Sequence, residues 1–483
     1  MSTKRLSTGI RGLDTVLNGG LTGERSYVLR GDAGAGKTLV SLRFLEAGVE
    51  RGDTALFVHC SKTRDELRQK AESIDIDAEN VSFLGLHGET QLVDESPESF
   101  ATNVSDTRLV GRVAERITEL DPDRVVVDPV TRLRHLFSDS ERYREEVVGL
   151  ARHLKGRGAT VLFTCRTDRY EHVPSVVDDG RLELRRSERT RTLTVPKAPN
   201  SARDGSHGMR ISDDGIQIFP ALDPVVSERD FEPESLSSGI PQVDQLLDGG
   251  IERGTTTVIS GATGVGKTTF GTQFMKEAAG RGERSVVYMF EESTETFHER
   301  SRCINVPVER MVADGSLRLE EIEPVKRSSV EFSDMVRREV ETHDTDIVMI
   351  DGVEGYNVSL RDDRLSLVET MQALCRYLKN LGVTVILITE HDSMTGQVKA
   401  TGEGISYLAD NIILLQHLEL EGELRKAIGV LKKRTSDYER YLREFSITEN
   451  GIKVGEPMDN LQGILTGMPR FGDDGEQIST EGH

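Results

Sequence analysis

The pattern GxxxxGK[ST] occurs twice. The first copy runs over Gly31, Asp32, Ala33, Gly34, Ala35, Gly36, Lys37 and Thr38. The second covers Gly261, Ala262, Thr263, Gly264, Val265, Gly266, Lys267 and Thr268, with Thr269 following. Glycines at this spacing let backbone N–H groups curl around phosphate oxygens at a helix N-terminus. The lysine reaches the β- and γ-phosphates, and the hydroxyl ligates Mg²⁺. The expected cofactors are therefore ATP and Mg²⁺. Downstream, an Asp that closes a buried strand holds such a metal through water. Asp128 closes RVVVD and Asp351 closes IVMID. The expected metal ligands are Thr38 with Asp128, and Thr268 with Asp351.

The two copies differ where a nucleophile would be activated. The second reads VVYMFEES, which puts Glu291 and Glu292 at the end of a buried strand. In a parallel sheet that edge faces the phosphates, and a carboxylate there can orient and deprotonate water or a hydroxyl. The ungapped alignment puts Ser61 and Lys62 at the same positions of the first copy. The first site is expected to bind nucleotide and to hydrolyse it slowly or not at all. The second is expected to be catalytic.

These residues are carried by a duplicated chain. STGIRGLDTVLNGG and SSGIPQVDQLLDGG start at Ser7 and Ser237, 230 positions apart, and the same offset aligns the two Gly-rich loops. DRVVVD and DIVMID align at an offset of 223, so the first copy holds seven extra residues between the motifs. In each copy, short apolar strands alternate with charged helices such as RLSLVETMQALCRYLKN. Continuous apolar strands between amphipathic helices imply a mostly parallel sheet with helices on both faces, an α/β fold. The expected domains are 1–221 and 236–462. An acidic, Pro-containing linker separates them at 222–235, and a loop and disordered tail follow at 463–483.

The chain has 483 residues, a net charge of −21 and 82 acidic residues against 61 basic ones, of which 15 are Lys. Two or more cores are expected at this length. The acidity argues against general affinity for nucleic acid or anionic lipid. An acid-rich, Lys-poor composition is like that of cytoplasmic proteins from extreme halophiles. Cys60, Cys165, Cys303 and Cys375 form no CxxC pair and read as reduced packed thiols. There is no apolar leader and no run of 18 apolar residues, so a cytoplasmic protein is expected.

On the paired P-loops, the EE pair and the block ISYLADNIILLQHLELEGELRKAIGVLKKRTSDYERYLREFSI from Ile405, the chain resembles the KaiC family of tandem RecA-like P-loop ATPases. The segment NLQGILTGMPRF from Asn460 is similar to that family's regulatory C-terminal loop. The resemblance implies a K-x-R element reaching the ATP of a neighbouring subunit, here Lys432 and Arg434. The first copy keeps Lys197 but has Pro199 for the Arg. It implies autophosphorylation of adjacent Ser and Thr residues near the second site; the matching positions are Ser406 and Tyr407, so the Ser survives and the Thr does not. It also implies a two-tiered homohexameric ring.

The leading expectation is a regulatory ATPase with autokinase activity at Ser406. One alternative is a nucleotide-sensing scaffold whose assembly state is read by protein partners. The other is a DNA-dependent motor or recombinase. For that, the segments 165–180 and 390–404 should be basic and Gly-rich, whereas they are mixed or neutral in charge.

Overall fold

The computed structural model describes residues 4–60, 62–86, 115–137, 139–168, 173–174, 177–187, 190–223, 231–232, 234–323, 327–359, 364–390, 407–420, 422–458, 461–462 and 470–471. The chain divides into two compact units, Met1–Ala221 and Leu222–His483.

Each unit is built on a nine-stranded sheet. In the first, the spatial order is Ser82–Gly85, Ala55–His59, Arg124–Asp128, Thr160–Cys165, Ser26–Gly31, Gly180–Arg186, Arg191–Lys197, His207–Ser212 and Gly215–Phe219. In the second it is Leu317–Glu321, Ser285–Met289, Ile347–Asp351, Thr384–Glu390, Thr256–Gly261, Asn411–Leu420, Glu423–Lys433, Arg443–Thr448 and Gly451–Pro457. The orders correspond strand for strand. In both, the first six strands pair in parallel and the last three add antiparallel. This is the tandem RecA-like α/β arrangement that the two motifs require.

The parallel strands are apolar on both faces because helices cover both. Along Arg124–Asp128, Val126 joins one core with Leu29, Phe57 and Leu162. Val125 and Val127 join the opposite core with Val28, Val58 and Phe163. The second unit alternates in the same way. Ile259, Val287, Met349 and Ile386 face one core, and Val258, Val286, Val348 and Val385 the other.

The helix Lys37–Val49 and its twin Lys267–Arg281 each begin directly after a Gly-rich turn. Gly36 and Gly266 take φ of 109° and 114°, a left-handed conformation that L side chains resist. A Cβ on Gly266 would also lie 2.5 Å from Ile447 Cδ1. No helix among the described residues is long and apolar enough to cross a membrane.

Candidate nucleotide sites

Each P-loop is pinned at its ends. The strand closes at Gly31 or Gly261, and Ala35 or Val265 is fully buried beneath the turn. Lys37 Nζ folds back onto the carbonyls of Gly31 (2.7 Å) and Asp32 (2.8 Å). Lys267 Nζ does the same with Gly261 (3.0 Å) and Ala262 (3.1 Å). The turn and helix N-terminus form the concavity of backbone donors that the motif is expected to present to phosphate.

In the carboxy-terminal lobe, register brings the acidic residues to one edge. Met289 lies opposite Asp351, and Phe290 N–H donates to the Asp351 carbonyl at 3.0 Å. Ser293 then caps the helix Thr294–Cys303 by accepting from Thr296 N–H, so Glu291 and Glu292 occupy the short link between strand and helix. The Glu292 carboxylate takes both its oxygens to Arg300 Nη1, at 2.7 and 2.6 Å. Glu291 instead packs over the glycines that follow Asp351. A Cβ on Gly352 would lie 2.9 Å from Glu291 Cδ, and Gly355 N–H donates to its carboxylate. Burial and the nearby Glu390 raise the Glu291 pKa, and Lys267 draws it down.

Asp351 is bonded to the Thr268 hydroxyl. Burial pushes its pKa up to about 6, with Glu292 and Glu291 adding to the rise and Arg300 opposing it. A hydroxyl and a carboxylate near Glu291 and Glu292 are hard oxygen donors of the kind that Mg²⁺ accepts. Among the described residues no group of three or more His, Cys, Asp or Glu could hold a metal, so the remaining ligands would be phosphate and water.

Two further acids belong to this edge and were not expected from the motifs. Glu390 ends the strand beside the P-loop, opposite Gly261, and its Oε1 accepts from Thr263 Oγ1 (2.9 Å) and lies 3.3 Å from Lys267 Nζ. Glu354, in the first turn of Val353–Ser359, is raised by burial to about 7, and its Oε2 is buried without a hydrogen bond. The rule that singled out Asp351, an acid closing an apolar strand, also finds Glu390 in TVILITE. Nothing in the sequence distinguishes Glu354 from a surface helix residue.

The amino-terminal lobe reverses this charge. Thr38 Oγ1 donates to Asp128 Oδ2 (2.8 Å), and Thr164 Oγ1 donates to Oδ1 (2.5 Å). Lys62 Nζ lies 2.6 Å from Thr38 Oγ1 and 3.4 Å from Asp128 Oδ2. By register, Arg166 follows the strand where Glu390 ends its twin, and it pairs with Asp168; in the sequence alignment Arg132 falls opposite Gly355. A Cβ on Gly34 would lie 2.7 Å from Arg186 Nη1, which adds a cation at this loop. Ser61 lies outside the described residues.

Lys432 and Arg434 are not brought to their own lobe's P-loop. Lys432 pairs with Ile412, which pairs with Val258 near the start of the P-loop strand, and its Nζ bonds the Ala409 carbonyl at 2.6 Å. Arg434 Nη1 reaches Asp410 Oδ1 at 3.2 Å, and Asp410 Oδ2 accepts from Thr256 N–H. Both cations therefore stand at the sheet edge opposite Gly261. Lys197 bonds the equivalent carbonyl, that of Asp178, in the first lobe. Tyr407 is exposed. Ser406 lies outside the described residues, as do 391–404, most of the C-terminal loop and the last dozen residues.

Comparison with known proteins agrees with this architecture. The family model "ATPase: KaiC" matches residues 6–223 and again 236–459. The circadian clock oscillator protein KaiC of a Picosynechococcus species is 27% identical over 482 residues, covering 96% of this chain and 92% of that protein. The circadian clock protein KaiC3 of a Synechocystis species is 27% identical over 491 residues, covering 97% and 95%. The KaiC of Synechococcus elongatus is 27% identical over 483 residues, covering 96% and 92%. With the family model spanning both lobes and the same nine-strand sheet repeated around each P-loop, the chain belongs to the KaiC family of ATPases.

Proposed function

We propose that both lobes bind nucleotide, that the carboxy-terminal lobe alone cleaves ATP, and that the chain works as a regulatory ATPase. One contrast carries the reading. Glu291 sits among acids close to Lys267, whereas Lys62 stands on Thr38 and Asp128 in the twin.

Glu291 is the better general base of the pair. Its carboxylate accepts from a backbone N–H, and burial and Glu390 raise its pKa, which makes it a stronger base than an ordinary carboxylate, while Glu292 is paired with Arg300. A water, or a hydroxyl, gives its proton to Glu291 as its oxygen attacks the γ-phosphorus. The bond from that phosphorus to the β–γ bridging oxygen breaks, and ADP leaves. Lys267 would reach the β- and γ-phosphates, and Glu390, 3.3 Å from its Nζ, orients the lysine across the loop. Mg²⁺ bound by Thr268 and Asp351 supplies charge stabilisation to the phosphates.

Lys432 and Arg434 serve a neighbour's nucleotide. From Val258 to Gly261 the strand advances by about 10 Å, beyond the reach of a lysine to its own P-loop. This supports a homo-oligomeric ring, which we take to be a hexamer. Autophosphorylation at Ser406 belongs to the same reading, with ATP as the phosphoryl donor.

The test uses γ-labelled ATP with Mg²⁺ and follows label into free phosphate and onto protein. Wild type releases phosphate, Glu291→Gln releases it on the order of 10²–10⁴-fold more slowly, and Ser406→Ala removes any label on the chain. Full turnover by Glu291→Gln would refute the assignment of the base.

A further inference from the structure

The Thr–Asp pair that would ligate Mg²⁺ exists in both lobes, but in the amino-terminal lobe a lysine lies on it. In the amino-terminal lobe both Asp128 oxygens are already taken by protein donors. Thr164 occupies Oδ1, and Thr38 and Lys62 approach Oδ2. The carboxylate is buried, with a side-chain exposure of 6%, and the Lys62 ammonium bridges it to the Thr38 hydroxyl at 2.6 Å. The lysine is held to this position by its backbone. Its carbonyl lies 2.6 Å from His59 Nδ1, and the next residue, Thr63, caps the helix Arg64–Glu72 in a reciprocal box with Glu66. His59 itself is buried against Phe83 and fills the space beside Gly85.

The surrounding charges change with it. Lys62 stands where the second lobe has Glu292, Arg166 where it has Glu390, and Arg132 where it has Gly355. A divalent ion entering here would displace the Lys62 ammonium, whereas at Thr268 and Asp351 the corresponding position holds Glu292, itself paired with Arg300, with Glu291 nearby. The residues of the first lobe do not fit Mg²⁺ as they stand.

We propose that the Lys62 ammonium takes the place of the divalent cation in the amino-terminal lobe, so that this pocket holds a nucleoside di- or triphosphate without metal. Lys37 and Lys62 together neutralise the terminal phosphates, and the helix N-terminus holds the rest. The pocket then retains nucleotide when free Mg²⁺ falls, while the carboxy-terminal pocket empties. The inference rests on the reading of the first pocket as a nucleotide site.

The experiment uses the full chain with saturating labelled ADP. It counts bound nucleotide by equilibrium dialysis in Mg²⁺ and in EDTA, and counts bound Mn²⁺ by electron paramagnetic resonance. The expected wild-type result is two nucleotides per chain in Mg²⁺, one in EDTA, and one Mn²⁺. Lys62→Ala should bind a second Mn²⁺ and weaken EDTA-resistant binding about ten- to a hundredfold, the ordinary weight of a charged hydrogen bond. Lys62→Arg should keep the EDTA-resistant nucleotide, which separates loss of charge from loss of fold. Two Mn²⁺ on the wild type, or release of both nucleotides by EDTA, would overturn the proposal. A Lys267→Ala chain that binds no nucleotide even in Mg²⁺ would instead remove the underlying reading of the first pocket, and the proposal with it.

Discussion

At the scale of single residues, the two adjacent glutamates face different neighbours, and their replacement should have different effects. Glu291→Gln should lower turnover by on the order of 10²–10⁴, the usual contribution of a positioned base. Glu292→Gln releases Arg300 and should act more weakly, a difference that steady-state ATPase assays will read. Glu354 makes a separate prediction about stability. Its carboxyl is raised to about 7 in the fold, against an ordinary value near 4.5. The folded lobe therefore binds the proton more tightly than the unfolded chain. The resulting stabilisation is complete below pH 4.5 and is lost as pH rises toward 7. Over that window the empty carboxy-terminal lobe should lose roughly 2–3 kcal/mol. Glu354→Gln should flatten the dependence, which urea unfolding across pH 4.5–8 will measure.

At the scale of elements, the link between strand Ser285–Met289 and helix Thr294–Cys303 sets where Glu291 points, and the glycines after Asp351 leave room for it. Gly352 has φ of 88°, and a Cβ there would press on the Glu291 carboxyl. Gly352→Ala should therefore cut turnover about ten- to a hundredfold by misplacing the base, while nucleotide binding is kept. Turnover equal to wild type would show that the glycine does not position Glu291. Much of this architecture was legible in the sequence. The repeat offset located both P-loops, and apolar strands closed by Asp located Asp128 and Asp351, because buried parallel strands leave a period-free apolar signature. What stayed hidden came from contacts between elements far apart in the chain. Glu390 meets Lys267 across 123 positions. Arg300 meets Glu292 only because the helix turns it back. Alignment revealed that Lys62 had replaced an acid, but its bonds to Thr38 and Asp128 depend on a loop conformation that spacing does not encode.

At the scale of the whole molecule, one chain carries an acidic P-loop edge and a basic one, and cations at the far edge of the second lobe from its own P-loop. The ring reading predicts complementation. Arg434→Ala alone should lower turnover on the order of 10³-fold, and Lys267→Ala alone should abolish it. Mixing the two variants should recover part of the activity, because some neighbours then pair an intact P-loop with an intact Arg434. No recovery on mixing, with subunits shown to exchange, would contradict service in trans. The division of labour between the lobes is tested most directly by comparing phosphate release from γ-labelled ATP by Lys267→Ala and Lys37→Ala chains under the same conditions. Lys267→Ala should release none. Lys37→Ala should retain the cleavage chemistry per active assembly, with its loss confined to weaker assembly. Abolished release by an intact, oligomeric Lys37→Ala protein, or wild-type release by Lys267→Ala, would contradict the assignment of catalysis to the carboxy-terminal lobe.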